Sequence, residues 1–164
     1  MKRYLAFALV LFLLASPTPV FAWGVQTQPK DKQVIAEAFW SSTGTTSNKR
    51  PSGTHYQLAM VCTNGFFEVD LFKLNPRGDL AVLGNVTSVS VQSQEKGRRN
   101  YKVVSLDGDA LRLTESKAFY QWILDQKRIG VYFKMENGED YRAYFNVSGA
   151  AGLAKKFASV GCKV

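Results

Sequence analysis

Histidine occurs once in this chain of 164 residues, at position 55, and cysteine only twice, at 62 and 162. Those shortages exclude much chemistry. A Ser-His-Asp arrangement has to be built on His55, and no Gly-x-Ser-x-Gly is present to supply its nucleophile. With no Cys-x-x-Cys the chain lacks the thiol-disulfide exchange motif. A zinc site has too few ligands of the right type. There is no internal repeat. After residue 22 no apolar run approaches the roughly 20 residues that a spanning helix needs.

The first 22 residues are the most informative segment. Lys2 and Arg3 form a positive start, residues 4–15 are apolar, and Ser16-Pro17-Thr18-Pro19 breaks the run. Val20-Phe21-Ala22 then places small residues where a signal peptidase reads them. The expectation is an exported, periplasmic protein cleaved after Ala22, with residues 23–164 forming one mature domain. The leader has no cysteine on which a lipid anchor of the cysteine-linked kind could be built.

The net charge is +8 at pH 7, and only Lys2 and Arg3 leave with the leader. A basic exported chain is drawn to anionic surfaces, polysaccharides and acidic proteins. Nucleic acid is a poor fit, because no aromatic residues cluster between the basic ones. Two cysteines in an exported protein point to a Cys62–Cys162 disulfide. Its closed loop of about 100 residues corresponds to roughly 4–5 kcal/mol by chain entropy.

The hydropathy pattern is that of short antiparallel strands. Residues 23–28 can open a sheet, and 34–40 read as helix or strand, with the surrounding pattern favouring strand. Residues 41–53 are rich in Ser, Thr and Gly and read as a long loop. Residues 55–62 alternate, Asn64-Gly65 is a hairpin turn, and 66–74 return. After a turn at 75–79, two strands are expected within 80–91, broken near Gly84-Asn85. Residues 95–100 read as a basic turn. Strands at 101–106 and 110–113 flank Asp107-Gly108-Asp109. Ser116 is expected to cap a helix running to 128, with Phe119, Trp122, Ile123 and Gln126 on its apolar side. A hairpin at 131–147 turns at Asn137-Gly138. Ser148 is expected to cap a last helix, ended by Gly161 in a left-handed cap. The class is mainly β, an antiparallel β-sandwich or strongly bent sheet with two short helices near the C-terminus.

The candidate functional surface is the basic group Lys96, Arg98, Arg99 and Lys102, expected at a hairpin tip and its root. The partner would be a protein or an anionic envelope component. Tyr101, Tyr132 and Tyr144 are placed on outer faces, where tyrosine suits an interface. Carboxylates pair in Asp107/Asp109 and in Glu136/Glu139/Asp140, but both groups sit where turns need such residues anyway. The Arg77-Gly78-Asp79 tripeptide and the sequons at Asn85 and Asn146 are short enough to occur by chance. No metal or cofactor is expected.

The last third carries a pattern. A helix at 119–124 leads to strands at 130–135 and 141–146. Val147-Ser148-Gly149 then opens a helix with Ala150-x-x-Leu153-Ala154 spacing that stops before Cys162. With Trp23 near the mature start and Cys62 in a central strand, this resembles small periplasmic proteins associated with type VI secretion. The last helix also resembles the invasion-associated locus B family. The resemblance implies a β-rich, disulfide-bonded periplasmic accessory protein without a catalytic set. The expectation is therefore a non-enzymatic binding or accessory protein of the envelope. The alternative is an inhibitor or immunity protein that presents the 96–102 hairpin to a cell-wall hydrolase.

Overall fold

The computed structural model describes residues 23–164, apart from 41–54 and the turn residues Pro76, Gly78, Asp107, Asp109 and Glu139. The expected leader (1–22) and the whole of the expected loop at 41–53 lie outside the described residues.

Strict alternation builds two antiparallel sheets. The first joins β1 (Gly24–Gln28), β2 (Gln33–Trp40), β3 (His55–Thr63), β4 (Phe66–Leu74), β7 (Val103–Leu106) and β8 (Ala110–Leu113) in the order β1-β2-β3-β4-β8-β7. The second joins β5 (Val86–Ser93), β6 (Gly97–Tyr101), β9 (Arg128–Met135) and β10 (Asp140–Asn146) in the order β10-β9-β5-β6. Helices α1 (Ser116–Ile123) and α2 (Leu153–Ser159) complete the chain. The mainly β class and the two short helices stand as the sequence pattern implied.

The core is the interface between the sheets. Leu58 and Met60 on β3 share an inner face with Val69 and Leu71 on β4, as their register requires. Val89, Val91, Val131, Phe133, Ala143 and Phe145 line the opposing sheet and are buried. Tyr56 on β3 stacks on Phe133 of β9 with centroids 5.1 Å apart, pinning one sheet to the other. Burying each such large side chain contributes about 1.5–3 kcal/mol.

The Cys62–Cys162 disulfide forms, with Cα atoms 6.1 Å apart. Around it Phe67, Tyr120 and Phe157 meet edge to face, at centroid distances of 5.1–5.9 Å. This cluster joins β4, α1 and α2. Gly161 ends α2 at φ +96°, with Gly161 N–H donating to Ala158 O and Cys162 N–H to Phe157 O. That bond pair is the Schellman pattern, which needs a left-handed residue and so favours glycine.

Five expectations are corrected. Residues 80–91 hold one strand, β5, plus a lone Leu74–Leu80 bridge. Residues 97–100 are not turn but β6, because they pair with β5 from Tyr101↔Val89 to Gly97↔Ser93. Helix α1 ends at Ile123, not 128, since Arg128 already pairs with Asn146 in the sheet. Ser116 does not cap α1: it is the first helical residue, its hydroxyl donating to Leu113 O and accepting from Val69 N–H. Ser148 caps no helix either, since its hydroxyl donates to Lys127 O and a 3-10 turn at Ala150–Gly152 precedes α2.

Candidate functional site

The outward face of the four-stranded sheet is the most distinctive surface. Val89, Val91, Val131 and Phe133 turn inward, so Ser90, Gln92, Gly130 and Tyr132 turn outward. The register sets Tyr132 opposite Arg142 and Gly130 opposite Tyr144. It also sets Gln92 opposite Arg98.

Three guanidiniums gather around the two tyrosines. Arg98 lies 5.0 Å from the Tyr132 ring centre and Arg142 lies 4.7 Å from it. Arg142 is 6.0 Å from the Tyr144 ring and Arg128 is 5.0 Å from it. At such distances a cation is attracted by the ring quadrupole. Arg98 reaches across β5 and donates from Nε (2.8 Å) and Nη2 (2.6 Å) to Ser90 Oγ. Arg142 Nη1 donates to the Tyr144 hydroxyl at 3.0 Å. That bond holds Arg142 above the ordinary arginine pKa, while burial, and next Tyr144, raise the Tyr132 phenol. Gly130 leaves room for the rings: a Cβ there would sit 3.1 Å from each. Arg128, Gly130, Tyr132, Tyr144, Gln92 and Gln94 help line a shallow groove of about 660 Å³.

The four basic residues expected to act together are divided. Arg98 belongs to the face just described. Arg99, the next residue in the strand, turns to the other side, 3.2 Å from Glu115 and 5.2 Å from the Tyr101 ring centre. Lys96 sits in the β5–β6 turn, 2.6 Å from Asp125 and donating to Trp122 O at 3.0 Å. The Lys96 bond, and next the Gln126 amide, hold the Asp125 carboxyl below its usual range. Lys102 follows β6 and is exposed.

Tyr132 and Tyr144 are partly exposed on the outer face, but Tyr101 is not on one. Its ring is 4% exposed and packs edge-on against Phe119 at 5.5 Å, because its partner Val89 faces the core. Burial pushes its phenol up to about 12.

The other candidates are turn and edge residues. His55 opens β3 opposite Leu74. Glu136 accepts from Asn85 Nδ2 at 2.7 Å, and Asp140 opens β10 opposite Lys134. The Asp107, Asp109 and Glu139 side chains lie outside the described residues. In the Arg77–Asp79 turn, Asn75 Oδ1 accepts from the N–H groups of Arg77 and Asp79, an Asx turn that accounts for the composition. Asn146 Oδ1 accepts from Ser148 N–H.

A second charge cluster lies on the outward face of the six-stranded sheet. Arg112 pairs with both oxygens of Asp70, at 2.8 and 2.9 Å, and with Glu68. Those bonds, the Asp70 one above all, raise the Arg112 pKa. This cluster is internally neutralised apart from one acidic charge and works as a cross-strand clasp.

No protein-family model, no characterised protein and no solved structure matches the chain. Among the described residues no helix is long and apolar enough to cross a membrane.

Proposed function

We propose that this is a non-enzymatic binding or accessory protein of the cell envelope, which meets an anionic partner on the outward face of its four-stranded sheet. The observation that carries the reading is the gathering of Arg98, Arg128 and Arg142 around Tyr132 and Tyr144. Arginine stacked on tyrosine is common in recognition surfaces, because the ring holds the planar fork in place while its N–H groups stay directed at an anion. The signal-peptide pattern of residues 1–22 supports export to the periplasm. The disulfide supports it as well, since such bonds persist in oxidising compartments. The likeness of residues 119–162 to periplasmic proteins of type VI secretion supports a place beside a secretion system.

The test is capture from envelope fractions by the exported protein and by its Arg98→Gln/Arg142→Gln variant. A component retained by the native protein, released by salt and lost with the variant is the expected result. Equal retention by both proteins, or none by either, would count against the reading.

The inhibitor reading gains no comparable observation. Most of its inserted element, residues 97–101, lies along β5 as a paired strand, and Lys96 in the turn is tied to Asp125.

A further inference from the structure

Basic residues of this chain fall into two groups. Lys96, Arg99 and Arg112 each meet a carboxylate, on Asp125, Glu115, and Asp70 with Glu68 respectively. Among the described residues, Arg98 and Arg142 do not. Among the described residues their partners are the Ser90 and Tyr144 hydroxyls and the rings of Tyr132 and Tyr144. These contacts fix the guanidinium planes without cancelling their charge. A surface built this way is complementary to anions at fixed positions.

The rest of the face narrows the ligand class. The strands' aliphatic side chains turn inward, so the face presents no aliphatic wedge to insert into a lipid surface. The Tyr132 ring has guanidiniums at 5.0 and 4.7 Å, so it is already engaged and offers no open platform for a nucleobase. Besides Arg128, the groove that runs along this face is lined by Gln92, Ser93 and Gln94, by Ile129 and Gly130, and by the rings of Tyr132 and Tyr144. Amides and hydroxyls of this kind match a chain rich in hydroxyl groups. The groove is shallow and open, a shape for an extended polymer.

We infer that this face binds a polysaccharide bearing carboxylates, its uronate groups pairing with Arg98 and Arg142 and its hydroxyls with the Gln92 and Gln94 amides. The inference rests on the proposed binding function and names its ligand. Arginine suits the role because its fork can donate two parallel N–H···O bonds to one carboxylate.

The experiment is calorimetric titration of the exported protein with polygalacturonate fragments at low salt. The native protein should bind, and affinity should fall steadily as salt rises. Arg98→Gln/Arg142→Gln should weaken binding at least about tenfold, as expected for lost charge-assisted bonds. Lys155→Gln/Lys156→Gln, on exposed α2 positions, removes the same charge elsewhere and should leave affinity within about twofold. Should the glutamine variant fold poorly by circular dichroism, Arg98→Lys/Arg142→Lys keeps the charge and removes the fork; it should still weaken binding several-fold. Neutral dextran should not bind.

Equal losses in the sheet-face and α2 variants, or no loss in either, would overturn the site. Tighter binding of poly-L-glutamate or oligothymidylate through Arg98 and Arg142 would overturn the polysaccharide and leave the binding function standing. Absence of any polyanion binding that depends on these arginines would overturn both.

Discussion

Gly65 and Gly161 face each other across the disulfide corner: a Cβ on Gly65 would sit 3.4 Å from the Gly161 carbonyl oxygen. Gly65 is the second turn residue of the β3–β4 hairpin, at φ +85°, and Gly161 is the left-handed end of α2, at φ +96°. Their contact is where the helix end seats on the hairpin tip. Gly161→Ala should cost about 1–2 kcal/mol through left-handed strain. Gly65→Ala should cost a similar amount. The double variant should depart from the sum of the two, since the residues touch. Urea midpoints of the four proteins decide it, and strict additivity would mean the contact carries no energy.

The disulfide beside them should be worth more. Cys62→Ser/Cys162→Ser opens a loop spanning a sequence separation of 100, for which chain entropy predicts a loss of about 4–5 kcal/mol. The native protein, denatured without reductant, should show no free thiol. A double serine variant as stable as the native chain would mean that the Phe67–Tyr120–Phe157 cluster alone seats α2.

How far the sequence foretold this architecture depends on its turns. Asn64-Gly65 is a two-residue loop, both residues with positive φ and Thr63 paired to Phe66, as its composition implies. The second Asn-Gly misleads. A two-residue loop at Asn137-Gly138 would set Tyr132 opposite Ala143. The actual pairing of Asp140 with Lys134 makes the loop one residue longer and sets Tyr132 opposite Arg142. A one-residue shift changes which side chains share a face, so the outward placement of Tyr132 and Tyr144 was legible from the chain but their pairing with Arg142 and Gly130 was not. The basic run was legible as a run, but its division was not. Reading 95–100 as turn hid the alternation that sends Arg98 and Arg99 to opposite sides. Ser116 was recognised at a helix start, but its hydroxyl bonds Val69 on β4, a tertiary contact that local sequence does not encode.

The Arg112 clasp should matter to stability rather than to binding. Asp70 is 4% exposed, and Arg112 supplies both of its close partners. Arg112→Leu should destabilise by about 2–3 kcal/mol, less than the 3–5 typical of a fully buried pair because Arg112 stays partly open. Glu68→Gln should cost under about 1 kcal/mol, its carboxylate being half open to solvent. Thermal unfolding of the two variants tests the order, and equal effects would remove Asp70 from the centre of the clasp.

Alkaline titration should reveal Tyr101. Its pKa rises from 10.0 to about 12, chiefly through burial. A raised folded-state value leaves stability intact below pH 10. Above it the unfolded chain ionises first, so folding weakens progressively from pH 10 to about 12. Tyr56, raised more strongly by burial, acts in the same sense. Phenolate absorbance should therefore lag for these residues until the protein unfolds. Tyr101→Phe should flatten the loss of stability across that window, and an unchanged profile would mean the Tyr101 ring is open to solvent.

Arg98 and Arg99 provide the sharpest separation of faces. Arg98→Glu places a carboxylate against Tyr132 and Ser90, amid Arg142 and Arg128. It should slow association with polygalacturonate much more than it speeds dissociation, because lost steering acts on encounter. Arg99→Glu instead sets a second carboxylate beside Glu115, on the other side of the strand. It should lower stability by less than about 1 kcal/mol and leave association at the native rate once ionic strength is physiological, where charges are screened beyond about 8 Å. Association rates of the two single variants over a salt series measure the difference. If both slow equally, the ligand reads the net charge of the whole β6 edge, and the alternation of the strand has no part in recognition.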